Sequence, residues 1–197
     1  MRLIGQFCLF FSVFLLGCAL PQDFPITLEI DESFTPDEKR MIVMAAEEWN
    51  TKAMPRLKHL RPIFSDNTNT IAPLQSIHDF GRYEHPVFKI TVFPFESSIK
   101  KCSGNAYGHG VGHFVLLCTA RMMQGATAIS ANENEGDTFN YEEYLETLRR
   151  VTIHELGHML GLMHFTHQKG MMNPHATVFP GLQPADLEAF CAIYECR

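Results

Sequence analysis

The chain has no run of lysine and arginine, so nothing in it would track a phosphate backbone. Sixteen Lys and Arg face 22 Asp and Glu, a formal charge of −6, and no nucleic-acid partner is expected. It also lacks an internal repeat or low-complexity tract, and beyond residue 20 no segment is apolar enough to cross a bilayer. The composition of disorder is missing too. Charged residues make up only 19% and hydrophobic ones 46% of 197 residues, enough for one domain with a real core and cramped for two.

What is present begins with an apolar leader. Arg2 is the only charged side chain before Asp23, and Leu3–Leu16 is nearly all apolar, too short to span a membrane and suited to an export signal. Residues 1–19 are therefore expected to be a signal peptide and 24–197 the functional domain. Leu15-Leu16-Gly17-Cys18 resembles a bacterial lipobox, which makes Cys18 a lipidation candidate and implies anchoring to a bacterial membrane. Gly17-Cys18-Ala19 alternatively suits ordinary cleavage after Ala19, giving a secreted form. Either way the protein is expected outside the cytosol.

Four cysteines remain beyond the leader, Cys102, Cys118, Cys191 and Cys196, an even number that fits an oxidising compartment. Cys102 and Cys118 are symmetric about Gly110 in the glycine-rich run 108–112, read as a turn between two strands, so these two are expected to pair across a hairpin. Cys191–Cys196 follows by elimination and requires the last helix to stop between them.

Ile26–Ile30 alternates like a strand. Thr35-Pro36-Asp37-Glu38 is a capping box opening a helix, with Met41, Met44, Ala45 and Trp49 as its expected apolar face. Residues 54–86 read as loops with one short strand near Ile63-Phe64, and Val87–Phe93 and the hairpin arms as strands. Residues 131–140, with Glu133, Glu135 and Asp137, read as a solvated acidic loop that matches no Ca²⁺ pattern. A long helix is expected over 141–163, irregular chain over 170–183, and a final helix over 184–194 with Leu187, Phe190, Cys191 and Tyr194 on one face.

The chemistry lies in His154-Glu155-Leu156-Gly157-His158-Met159-Leu160-Gly161-Leu162-Met163-His164. Histidines four apart on a helix share a face and can bind one Zn²⁺. Glu155 can reach the metal's water without being a ligand. A straight helix would carry His164 too far away. Gly161 can take a left-handed conformation that ends the helix and brings His164 back as third ligand, leaving one position open. Metal-assisted hydrolysis with Glu155 as general base is the implied reaction.

These residues match the H-E-x-x-H-x-x-G-x-x-H signature, and the chain resembles the metzincin zinc endopeptidases, most closely the matrixins and their bacterial relatives. The resemblance implies an α+β fold: a mostly parallel twisted sheet with an antiparallel edge strand, an active-site helix and a C-terminal helix. It implies protein or peptide substrates lying along an edge strand, for which 105–109 is the candidate, with Tyr107, Asn173 and Pro174 at the pocket. It also implies a turn methionine beneath the metal, assigned to Met172 with Met171 as runner-up, eight residues after His164 in the former case. Phe165 stands where matrixins usually carry Ser, and no Tyr follows Met172 by two, so no fifth ligand is expected. A cysteine-switch propeptide has no room before the first strand, so latency by that route is not expected. Matrixins hold a second, structural zinc, and His78, Asp79, His85 and His109 imitate its ligands only loosely, so neither it nor Ca²⁺ is assigned. His59, His113, His167 and His175 are read as surface residues. A monomer with one catalytic Zn²⁺ is expected. The competing reading is a non-catalytic zinc-binding surface lipoprotein or adhesion module.

Overall fold

The computed structural model describes residues 24–71, 89–94, 108–111, 114–125, 127–128, 138–165, 169–174 and 179–197. The leader with Cys18, together with Tyr107, Cys102, His78, Asp79, His85 and the acidic loop 131–137, lies outside them.

Five strands form one sheet: β1 (Ile26–Asp31), β2 (Phe64–Ile71), β3 (Lys89–Pro94), β4 (Gly108–Val111) and β5 (Phe114–Leu117), in the order β2-β1-β3-β5-β4. The pairs β1/β2, β1/β3 and β3/β5 are parallel, and only the edge strand β4 runs antiparallel, to β5. Ile26, Leu28, Val92, Val115 and Leu117 are fully buried or nearly so, as expected of parallel strands covered by helices. The small pair β6 (Thr127–Ala128) and β7 (Thr138–Phe139) stands apart.

Helix α1 (Pro36–Ala53) starts where the capping box predicts. Glu38 N–H donates to Thr35 Oγ1 at 3.3 Å and Thr35 N–H to Glu38 Oε2 at 2.7 Å. Its buried face is Ile42, Ala45, Ala46, Trp49 and Ala53. Met41 is only half-buried and Met44 is exposed, a correction to the expected stripe, because the sheet and the active-site helix approach from the Ile42 side. The short α2 (Thr119–Gly125) follows β5, then α3 (Tyr141–Met159) and α4 (Pro184–Ile193). Helices α1 and α3 pack together: Trp49 Nε1–H donates to the Ile153 carbonyl at 3.1 Å, and buried Tyr144 donates its hydroxyl to Glu38.

Three further readings need correction. The strand near Ile63 runs to Ile71, although residues 66–70 are polar and exposed, because β2 is an edge strand with little to cover it. The glycine-rich run is not the turn. Gly108–Val111 is itself strand, and Val111 pairs with Phe114, which centres the ladder after residue 112 and not on Gly110. The symmetry argument for Cys102–Cys118 therefore fails, although Cys118 is buried and disulfide-bonded. Finally, α3 ends at Met159, four residues short of the expected 163.

Candidate active site

Asn140 caps α3 by accepting the Glu143 N–H at 3.1 Å, and the helix delivers His154, Glu155 and His158 to the face below β4. Its end is a Schellman turn: Leu162 N–H reaches back to the Gly157 carbonyl at 3.0 Å and Gly161 N–H to the His158 carbonyl at 2.9 Å. Gly161 has φ 83, a left-handed value at which a Cβ is strained. The turn returns the chain so that His164 faces the two helical histidines.

The three Nε2 atoms form a nearly equilateral triangle: His154 to His164 is 3.0 Å, His158 to His154 is 3.1 Å and His158 to His164 is 3.1 Å. The opposite ring nitrogens are engaged. His154 Nδ1–H donates to the Met171 carbonyl, and His158 Nδ1–H to the Leu162 carbonyl at 2.8 Å. With those protons on Nδ1, two of the converging Nε2 atoms present bare lone pairs toward His164, a donor set that fits a cation. The spacing suits donors about 2.0–2.1 Å from one zinc ion. Burial, opposed by the Met171 carbonyl and aided by the neighbouring imidazoles, pushes His154 down to about 4. Burial also lowers His158 and His164. These downward shifts favour the neutral imidazole, the form that ligates a metal.

Beneath the triangle lies the methionine turn. Met171 and Met172 are both fully buried, and Met172 Sδ lies against Gly157, where a Cβ would collide with it. Phe165 N–H donates to the Met172 carbonyl at 3.2 Å, linking the segment after the third histidine to the turn. One residue that sequence reading passed over holds this turn: Asp186, fully buried on α4, accepts from Met171 N and Met172 N at 2.9 Å each and from Gln183 N at 2.7 Å. Its only sequence signal was an acid in the first turn of a helix. Glu155 is 4% exposed, beside the triad. Asn173 is half-buried just after the turn, its N–H on the Gly170 carbonyl at 3.1 Å, and Pro174 is exposed. Among the described residues, His154, His158 and His164 are the one set of three or more metal-ligating side chains that converges.

The model for the matrixin family matches residues 26–195. The chain belongs to the matrixins. Among solved structures it is similar to archaemetzincin from Methanopyrus kandleri, at 13% identity and a TM-score of 0.53, over 85% of this chain and 94% of that one. At that identity the likeness is one of fold. No curated protein matches. As a matrixin the chain is a zinc metallopeptidase of the metzincin type, and its histidine triad is the seat of one catalytic Zn²⁺. The sheet order, the lone antiparallel edge strand, and the α3 and α4 pair give it the α+β fold expected from the signature.

Proposed function

We propose that this matrixin is an endopeptidase acting outside the cytosol, with Glu155 as its general base. The observation that carries the reading is the Nε2 triangle with a buried carboxylate one residue from its first member. A bound zinc ion supplies Lewis acidity, polarising the scissile carbonyl and acidifying water. His154 and His158 keep fixed tautomers through their backbone partners, so the donor set is pre-oriented. Glu155 takes a proton from water and passes it to the leaving amine nitrogen. The substrate backbone pairs along the outer edge of β4, and the chain after Met172, starting at Asn173 and Pro174, walls the pocket for the residue after the cut.

Export is supported by the leader and by two features of the folded part, the disulfide-bonded Cys118 and the Cys191–Cys196 bond. The leader offers two mature forms, one lipidated on Cys18 and one cut after Ala19 and secreted, and a variant at Cys18 distinguishes them. Replacing Cys18 with Ala should release the lipidated form from membranes and abolish its labelling by a fatty acid.

The decisive test is Glu155→Gln. It should keep zinc, measured by competition with a chromogenic chelator, and lose cleavage of a peptide library read by mass spectrometry. Unchanged cleavage overturns the base assignment. No cleavage by the unaltered zinc-loaded chain supports the non-catalytic surface-module reading instead.

A further inference from the structure

The glycine that opens β4 faces α3. A Cβ placed on Gly108 would lie 2.7 Å from Glu155 Oε1, 2.9 Å from Glu155 Cγ and 2.8 Å from Val151 Cγ1. Carbon and oxygen atoms do not approach this closely without a bond, so the Glu155 side chain lies directly against the bare backbone of the edge strand. Val151 and Glu155 are four apart on α3 and share the face that meets β4. Val151 is β-branched, helical and 4% exposed, so it has little room to rotate away. Glu155 is the partner that would have to move.

We propose that Gly108 is a positioning residue for the Glu155 carboxylate: the missing Cβ admits the side chain between α3 and the edge strand and fixes where its oxygens lie. This rests on the reading of Glu155 as the base. Gly108 pairs with Leu117 in the β4/β5 ladder, and β4 is the outermost strand on its side of the sheet. A substrate backbone laid along that edge and the carboxylate that must reach its scissile bond are therefore referenced to the same strand. The glycine-rich run thus has a role other than turning the chain. Its first member provides clearance.

The test is Gly108→Ala in the full zinc-loaded protein. A methyl group there displaces the carboxylate, and a misplacement on the order of 1 Å lowers kcat by about 10²-fold. KM should change much less, and zinc affinity of the metal-free protein, measured by chelator competition, should not change. Glu155→Asp supplies the second arm. Its shorter side chain withdraws from the added methyl, so adding Gly108→Ala to it should cost only a few-fold further, well short of the 10² seen alone. Equal fold-losses in both backgrounds, an unaltered kcat in Gly108→Ala, or a parallel loss of zinc affinity would each overturn the proposal. If Gly108→Ala does not fold, combining it with Val151→Ala removes the stiff collision and the same comparison is made there. Failure of that variant to fold also overturns the role, because the glycine then serves packing alone. Glu155→Gln in the same assay separates the two levels: activity surviving in it removes the base reading, whereas activity surviving only in Gly108→Ala removes the role of the glycine.

Discussion

At the scale of single residues, the metal site is held by groups that are not ligands. Asp186 takes three backbone N–H groups into a fully buried carboxylate, two of them from the methionine turn whose Met171 carbonyl orients His154. Asp186→Asn keeps the shape, but one of its terminal atoms becomes a donor facing N–H donors. Leaving buried partners unsatisfied costs about 1–3 kcal/mol, and zinc affinity should fall alongside stability because His154 loses its support. Thermal unfolding and chelator competition on the same variant check both, and an unchanged affinity would separate the turn from the metal. The ligands themselves were legible in the sequence because their geometry is covalent arithmetic: four residues make a helical turn, and a glycine ends it. The role of Asp186 in the methionine turn was not legible, because two of its three partners lie 14 and 15 positions upstream and meet it only through packing.

At the scale of elements, α1 and α3 are joined by an ion-pair network at their solvent edge. Arg149 Nη1 meets Glu48 Oε2 at 2.5 Å, Arg149 Nη2 meets Glu146 Oε1 at 2.6 Å and also donates to the Pro180 carbonyl at 2.7 Å, and Glu48 Oε1 accepts the Leu182 N–H at 2.7 Å. The helices are thereby tied to the segment entering α4. Hydrogen bonding from Arg149, against a smaller effect of burial, holds the Glu146 carboxyl below its ordinary 4.5. A depressed carboxyl stabilises the fold above pH 4.5, and that contribution disappears as pH falls through its folded value. Glu146→Gln should therefore lower Tm near neutral pH and converge with the unaltered protein in acid. A constant Tm gap from about pH 6 to about pH 3 would refute the linkage. The helices were readable from the sequence because Thr35 and Glu38 form a capping box and because an apolar face repeats. Strand β2 was only half readable, since an edge strand needs no alternation, and the hairpin was mis-centred because Gly108 and Gly110 looked like turn residues.

For the whole molecule, the C-terminal part closes over the region below the site. Helix α4 stops at Ile193, which lets Cys191 and Cys196 bond with Cα atoms 5.2 Å apart, and the tail then pairs with residues 56–58 through Lys58 N to the Glu195 carbonyl and Arg197 N to the Arg56 carbonyl, both 2.8 Å. Tyr194 meets the rings of Phe24 and Phe190 at tilted angles and donates to the Leu160 carbonyl at 3.1 Å, so the C-terminal end is tied both to the start of the described domain and to the residue that ends α3. Zinc joins α3 to the turn that follows it, and its removal should loosen the molecule as a unit. With free zinc at about 1,000 times Kd, binding adds about 4 kcal/mol, worth about 10 °C in Tm, lost on chelation and regained on readdition. A chelated protein with unaltered Tm would contradict this coupling.

Two of the three imidazoles are aimed by main-chain oxygens, those of Leu162 and Met171. Exchanging either side chain leaves its carbonyl in the chain, so tolerance at these two buried positions is governed by shape and apolar character rather than by the acceptor itself. Removing a residue is different in kind: a deletion at 160 or 161 shifts both acceptors relative to the helix, and one between 163 and 170 shifts that of Met171. Insertions and deletions in this segment, more than point changes, are what this metal site has least capacity to absorb.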